Sequence, residues 1–91
     1  MALERLLDVS ELEPPAPLVH TLEAAETLES GEYLRMTHRR DPCLLRGNLD
    51  QRGFAYLMRS QEDGYVQTFI WRIDDNKAEA TARHAAGKSI L

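Results

Sequence analysis

The residues best suited to chemistry lie together in the stretch 37–43, which reads T-H-R-R-D-P-C. A strand is predicted before this stretch and a helix after it, and ligands usually bind at that edge of an α/β sheet. The free N–H groups at a helix start attract anions, and Arg39 and Arg40 would add positive charge there. As the helix N-cap, Asp41 would occupy some of those donors. Two interpretations stay open: a site for a small anion or an acidic partner, and a capped helix with solvated arginines.

Cys43 is the only cysteine of the chain and lies early in the predicted second helix. The helix start and the neighbouring arginines would lower the pKa of its thiol, which suits a relocated sulfur or redox site. The alternative is a small buried apolar residue, as free cysteines often are, and no Cys-x-x-Cys motif is present to resolve a disulfide. Since one cysteine cannot form an internal disulfide, we expect a reducing cytoplasm.

His38 ends a predicted strand, on the same face as Leu34 and Met36. One histidine is a poor metal site, because metal ligands usually come in threes or fours. His20 and His84 share no obvious spacing with it. We therefore predict a hydrogen-bonded, partly buried imidazole, and we predict neither a metal nor any other cofactor.

Charge and composition narrow the class of protein. The chain has 91 residues, enough for one domain, with a net charge of −4, and residues 33–60 carry six arginines against two aspartates. An anion-binding surface is therefore expected in this middle segment. Nucleic acid is not an expected partner, because the protein is acidic and its basic residues are not interleaved with aromatic ones. No apolar run could cross a membrane and no signal peptide is recognisable, so we expect no membrane association.

The elements around these residues follow from hydrophobic periodicity. Leu18, Leu22, Ala25 and Leu28 recur at helical spacing after the proline-rich stretch 14–17. A second helix is predicted from Pro42 to about Arg52, with Gly47 explained by close approach to the small residues Ala24 and Ala25 of the first helix. Strands are predicted at 6–9, 33–38, 54–59 and 65–73, the last two joined by a tight turn at Asp63-Gly64. The order βαβαββ predicts an α/β (α+β) two-layer sandwich, a four-stranded mixed sheet with both helices on one face.

The last strand and the tail carry two further predictions. Tyr65, Phe69 and Trp71 form an aromatic stripe that we expect to pack mostly beneath the helices, while Val66 and Ile70 face solvent or a partner. The open sheet face would suit a monomer or a weak homodimer. We divide the chain into a domain at 1–73 and an extension at 74–91, in which a capping box at 76–79 begins an alanine-rich segment that is either a short helix or disordered.

The run from Leu7 to Pro17, L-D-V-x-x-L-x-P-P-x-P, resembles the opening of the TusA/SirA sulfur-carrier family, in which a strand leads into L-x-C-P-x-P at the head of the first helix. The resemblance continues to residue 73 through Ser30-Gly31-Glu32, Asp41-Pro42, Gly53, Asp63-Gly64-Tyr65 and Ile70-Trp71-Arg72. In those carriers the cysteine becomes a persulfide and passes its sulfur to partners. The matching residue here is Pro14, which has no nucleophile, so persulfide chemistry is excluded at that position.

The motifs E-P-P-x-P, which includes Glu13, Pro14 and Pro15, and H-x-R-x-P at 38–42 resemble a bacterial branch of this superfamily, whose members are uncharacterised and sometimes fused to hemerythrin-like domains. This resemblance implies a bacterial protein and a partner in sulfur, redox or nitrogen-oxide metabolism.

We therefore hypothesise a non-enzymatic binding or adaptor domain that meets a partner protein or a small anion at the edge where the helices begin. The alternatives are a sulfur or redox carrier that uses Cys43, and a dimerisation module built on the open sheet face. The residues predicted to form the binding edge are His38, Arg39, Arg40, Asp41, Glu13, Pro14 and Pro15.

Overall fold

The structure, a computed structural model, describes residues 4–13, 15–39, 44–60 and 64–88. Its first six elements follow the predicted order of strands and helices, and a further helix follows them. The elements are β1 (Glu4–Asp8), α1 (Ala16–Glu26), β2 (Tyr33–His38), α2 (Leu45–Gln51), β3 (Phe54–Ser60), β4 (Val66–Arg72) and α3 (Asn76–Lys88).

The four strands form one mixed sheet in the order β1-β2-β4-β3. β1 and β2 are parallel, whereas β4 is antiparallel to both of its neighbours. Because α1 follows β1 and α2 follows β2, both helices begin at the same end of the sheet. We call this end, formed by the described residues 9–13, 15, 39 and 44, the helix-start end.

The first face of the sheet packs against α1 and α2. Of the predicted stripe, α1 provides the buried Ala25 and the partly buried Leu18 and Leu22, while Leu28 is buried just after the end of this helix. These side chains meet the alternating residues of the strands beneath, which include Leu34, Met36, Ile70 and Phe54, and the buried α2 residues Leu45 and Leu49. The predicted four-stranded mixed sheet with two helices on one face is therefore confirmed.

The second face of the sheet is partly covered by α3, which corrects the prediction for the last strand. Phe69 and Trp71 are buried there beneath alanines of α3, whereas Ile70 is buried on the first face against α1 and α2. The predicted assignment of the two faces is thus reversed. Both sets of β4 side chains contain large apolar residues, so their alternation could not tell which set meets which helix. The sheet face without α1 and α2, which the dimerisation alternative needed to be open, is thus partly covered by α3.

Asp75 fixes the start of α3. One of its carboxylate oxygens, Oδ1, accepts a hydrogen bond from the N–H of Ala78 at 3.0 Å, and the other, Oδ2, accepts one from the N–H of Gly31 at 2.7 Å. The N-cap of α3 is therefore Asp75 rather than the predicted Asn76. The second bond joins the start of the helix to the turn between α1 and β2.

α2 differs from its prediction in one respect. A Cβ added to Gly47 would meet no atom within 4 Å, so the expected close approach of Ala24 or Ala25 is absent. The residues predicted to begin this helix, Asp41 and Pro42, lie outside the described residues. No helix within the described ranges is both long and apolar enough to cross a membrane.

Candidate binding site at the helix-start end

Arg39 joins the two loops of the helix-start end. It follows directly after β2, and its Nη2 atom lies 3.1 Å from Oε2 of Glu11, in the loop after β1. Parallel pairing of β1 with β2 places these loops side by side, although the two residues are 28 positions apart in sequence. The Arg39 side chain remains 58% exposed.

Tyr65, the residue before β4, also contacts the guanidinium of Arg39. Nη2 of Arg39 donates to the phenolic oxygen at 3.2 Å, and the guanidinium carbon lies 5.4 Å from the ring centroid, within cation–π range. The hydrogen bond to Tyr65, followed by the charges of Tyr65 and Glu11, raises the pKa of Arg39 above its ordinary value. The site thus presents a positioned and permanently charged guanidinium.

Asp8 adds negative charge near this arginine. Its carboxylate accepts hydrogen bonds from the hydroxyl of Ser10 at 2.6 Å and from the Ser10 N–H at 2.9 Å. These bonds, with a smaller contribution from the charge of Arg39, lower the pKa of Asp8. The described part of the site therefore carries more negative than positive charge, since the single guanidinium of Arg39 is accompanied by the carboxylates of Glu11 and Asp8.

His38 lies inside the protein. It is 1% exposed, and its Nε2 atom is 2.9 Å from the hydroxyl of Thr68 on β4. The predicted hydrogen-bonded imidazole is therefore present and is fully buried. Its side chain anchors the end of β2 next to Arg39 and does not form part of the surface.

The remaining predicted site residues divide into two groups. Glu13 and Pro15 are exposed in the loop before α1, where the carbonyl of Glu13 accepts a hydrogen bond from the N–H of Ala16 and Pro15 is the N-cap residue. The other predicted residues, Pro14, Arg40, Asp41 and Cys43, lie outside the described residues, and their assignment stays a prediction.

The structure also places exposed apolar side chains at this end, which the sequence prediction missed. Leu12 lies in the loop before α1, Val19 is in the first turn of α1, and Leu44 is the N-cap residue of α2 and is 63% exposed. The signal in the sequence was that Leu12 and Val19 fall outside the periodic apolar stripe. Within the described ranges, no group of three His, Cys, Asp or Glu side chains is arranged to bind a metal ion.

Comparison with known proteins agrees with this architecture. Residues 6–72 match the model of the family described as "Uncharacterized conserved protein (DUF2249)". The chain belongs to this family. Among solved structures, the crystal structure of a SirA-like protein from Desulfitobacterium hafniense matches with a TM-score of 0.62 at 18% identity, covering 71% of this chain and 92% of that one. No curated protein matches significantly.

At this identity the likeness concerns the fold, and it confirms the TusA/SirA-like fold predicted from the sequence. Assignment of this DUF2249 chain to a branch without the carrier cysteine stays a prediction. The matched family region ends before α3, which begins at Asn76.

Proposed function

We propose that this DUF2249 domain is a non-catalytic binding or adaptor module that recognises a protein partner at the helix-start end. One observation carries the proposal: an exposed arginine, held in place by Glu11 and Tyr65, lies at the same end of the sheet as exposed apolar side chains. Protein interfaces commonly combine an arginine anchor with apolar contacts, and exposed apolar groups favour partners that cover them.

The charge balance favours a protein over a small anion as the ligand. A free anion at Arg39 would compete with the carboxylate of Glu11 for the guanidinium charge, and the ionised Asp8 would repel it. A protein partner can exchange one carboxylate for another while it also buries Leu12 and Leu44. The free energy gained by burying this apolar area then adds to an exchange of ionic contacts whose own net free energy is close to zero.

The absence of the carrier cysteine supports binding rather than sulfur transfer. In the family that the sequence resembles, a cysteine at the position of Pro14 carries the sulfur, and proline offers no nucleophile. We further propose, from the same resemblance, that the partner belongs to sulfur, redox or nitrogen-oxide metabolism in a bacterial cytoplasm.

Capture of partners from the native host, with matched surface variants, tests the proposal. Leu44→Ser removes an exposed apolar side chain at the helix-start end, and Ile73→Ser removes one that is similarly exposed at the opposite end of the sheet. We expect the Leu44→Ser variant and the double variant Arg39→Ala/Arg40→Ala to lose a protein that both the wild type and Ile73→Ser retain. If all four forms recover the same proteins equally, the helix-start end is not the binding surface.

A further inference from the structure

β3 forms a lateral edge of the sheet that carries little protection against strand pairing. It pairs with β4 on one side, and no other described strand pairs with its second side. Its seven residues contain no proline or lysine and only one charged residue, Arg59, and its register with β4 runs without a bulge. The opposite edge strand, β1, has five residues, of which three are charged. Charges, prolines and bulges are the usual devices that block edge pairing, so β3 is the more receptive edge.

The hydrogen-bond pattern shows which backbone groups of β3 point outward. The N–H of Ile73 donates to the carbonyl of Gly53 at 3.0 Å, so these two residues form a hydrogen-bonded pair. In an antiparallel ladder such pairs alternate with pairs that do not exchange hydrogen bonds. The N–H and C=O groups of Phe54, Tyr56 and Met58 therefore point away from β4, where an added strand would meet them.

Arg59 is the charged group of this edge, and its guanidinium is only partly hydrogen-bonded among the residues that the structure describes. Its Nε atom is buried and has no hydrogen-bond partner in ranges 4–13, 15–39, 44–60 and 64–88, while Nη1 donates to the carbonyl of Met58 at 3.2 Å. Directly opposite on β4 is the neutral Gln67, and no described carboxylate forms an ion pair with Arg59. Five other arginines of the described ranges each pair with a glutamate, namely Arg5, Arg35, Arg39, Arg52 and Arg83.

We propose that the edge of β3 binds an extended peptide segment with acidic side chains at alternate positions, which adds to the sheet as a fifth strand. A residue opposite Arg59 in the added strand would point to the same face of the sheet, so a glutamate or aspartate there can pair with the guanidinium. The alternate residues of the peptide would point to the other face, beside the half-buried Tyr56 and Met58, and apolar side chains suit them. The backbone supplies affinity and the alternating side chains supply selectivity.

Charge complementarity favours such a peptide over a second copy of this chain. Antiparallel pairing of two β3 strands about Leu57 would place each Arg59 opposite the alanine equivalent to Ala55. The guanidinium would then gain no carboxylate. The occupant that fits is therefore an acidic strand. Both the binding surface and the ligand differ from those proposed at the helix-start end.

Amide hydrogen exchange followed by NMR tests the proposal with a blocked heptapeptide that alternates valine and glutamate. We expect this peptide to slow exchange of the Tyr56 and Met58 amides, which point outward. The amide of Leu57, already bonded to β4, should change little. A control peptide with lysine in place of glutamate should bind at least about tenfold more weakly.

Two variants connect the binding to Arg59. Arg59→Gln should weaken binding of the glutamate peptide at least about tenfold, because a charge-assisted hydrogen bond is lost. Arg5→Gln removes the same charge from the opposite edge strand and should leave binding unchanged. Protection of the buried Phe69 amide of β4 shows that each variant is folded.

Three results would overturn the proposal: no added protection at Tyr56 and Met58, equal binding by Arg59→Gln and the wild type, or protection that rises with protein concentration in the absence of peptide. The last result would make a second copy of the chain the occupant of the edge.

Discussion

Asp75 connects the extra helix α3 to the family fold, and its replacement gives the sharpest test of the packing described above. Its carboxylate caps α3 through the N–H of Ala78 and also accepts the N–H of Gly31, one bond on each oxygen. Asp75→Ala removes both acceptors, whereas Asp75→Asn keeps one carbonyl oxygen, and asparagine caps helices about as well as aspartate. The two variants therefore separate the cap from the bond to the α1–β2 turn.

The expected magnitudes follow from these two contacts. Loss of an N-cap costs about 1 kcal/mol of unfolding free energy, and a hydrogen bond to a charged group contributes about 1.5 kcal/mol at the lower end of its range. We therefore expect about 2.5 kcal/mol of destabilisation for Asp75→Ala and about 1.5 kcal/mol for Asp75→Asn. For a domain of this size the larger value lowers Tm by about 10–20 °C.

Trp71 provides the assay, because it is the only tryptophan and lies beneath α3. It is 2% exposed, packed against alanines of α3, with the guanidinium of Arg83 over its ring at 5.5 Å. Urea unfolding followed by tryptophan fluorescence and, in parallel, by far-UV circular dichroism separates release of α3 from global unfolding. We expect the fluorescence transition to shift to lower urea in the order wild type, Asp75→Asn, Asp75→Ala.

The same carboxylate predicts a dependence on pH. The hydrogen bond from Gly31, followed by that from Ala78, lowers the pKa of Asp75 below its ordinary value of 3.8. Its contribution to stability is therefore complete above about pH 4 and is lost as the pH falls through the lower pKa of the folded state. Asp75→Asn should remove this part of the acid sensitivity. If Asp75→Ala leaves both transitions and their acid dependence unchanged, α3 is not held by this residue and the reasoning fails.

Three further predictions concern single residues. Gly47→Ala should raise the unfolding free energy by about 0.5–1 kcal/mol in urea titrations, because the site is helical and open, whereas Gly53→Ala, at a φ of 82°, should lower it. Burial, followed by the hydrogen bond to Glu4, raises the pKa of Tyr33 to about 12, so stability should fall as the pH rises from about 10 towards 12, and Tyr33→Phe should reduce that fall. Cys43 should alkylate at pH 6 no faster than an ordinary thiol, which is about 0.3% thiolate there; rapid alkylation of the native protein would instead support a sulfur or redox carrier.

Much of the fold could be predicted from local patterns. The helical spacing of Leu18, Leu22, Ala25 and Leu28 identified α1 and its buried side, and the strand alternation of Leu34, Met36 and His38 placed the imidazole on the buried face. These features depend on period and on turn residues, which the sequence displays directly.

The candidate site was only partly predictable. Arg39 was recognised from its place after a strand, but its partners Glu11 and Tyr65 are 28 and 26 residues away, and parallel pairing of β1 with β2 brings the first of them close. The position of β3 at the edge of the sheet could not be predicted either, because local sequence patterns do not specify the order of strands in a sheet.

By itself, the sequence determined the type and order of the first six elements and the TusA/SirA-like fold, whereas the correspondence of Pro14 to a carrier cysteine stays a prediction. Only the tertiary structure decided which face of β4 meets α1 and α2, and that α3 covers the other face. The physical reason is that Phe69 and Trp71 are as apolar as Ile70 and Val66. Alternation reveals that a strand has two faces, but the partner of each face depends on which helix is available to bury it.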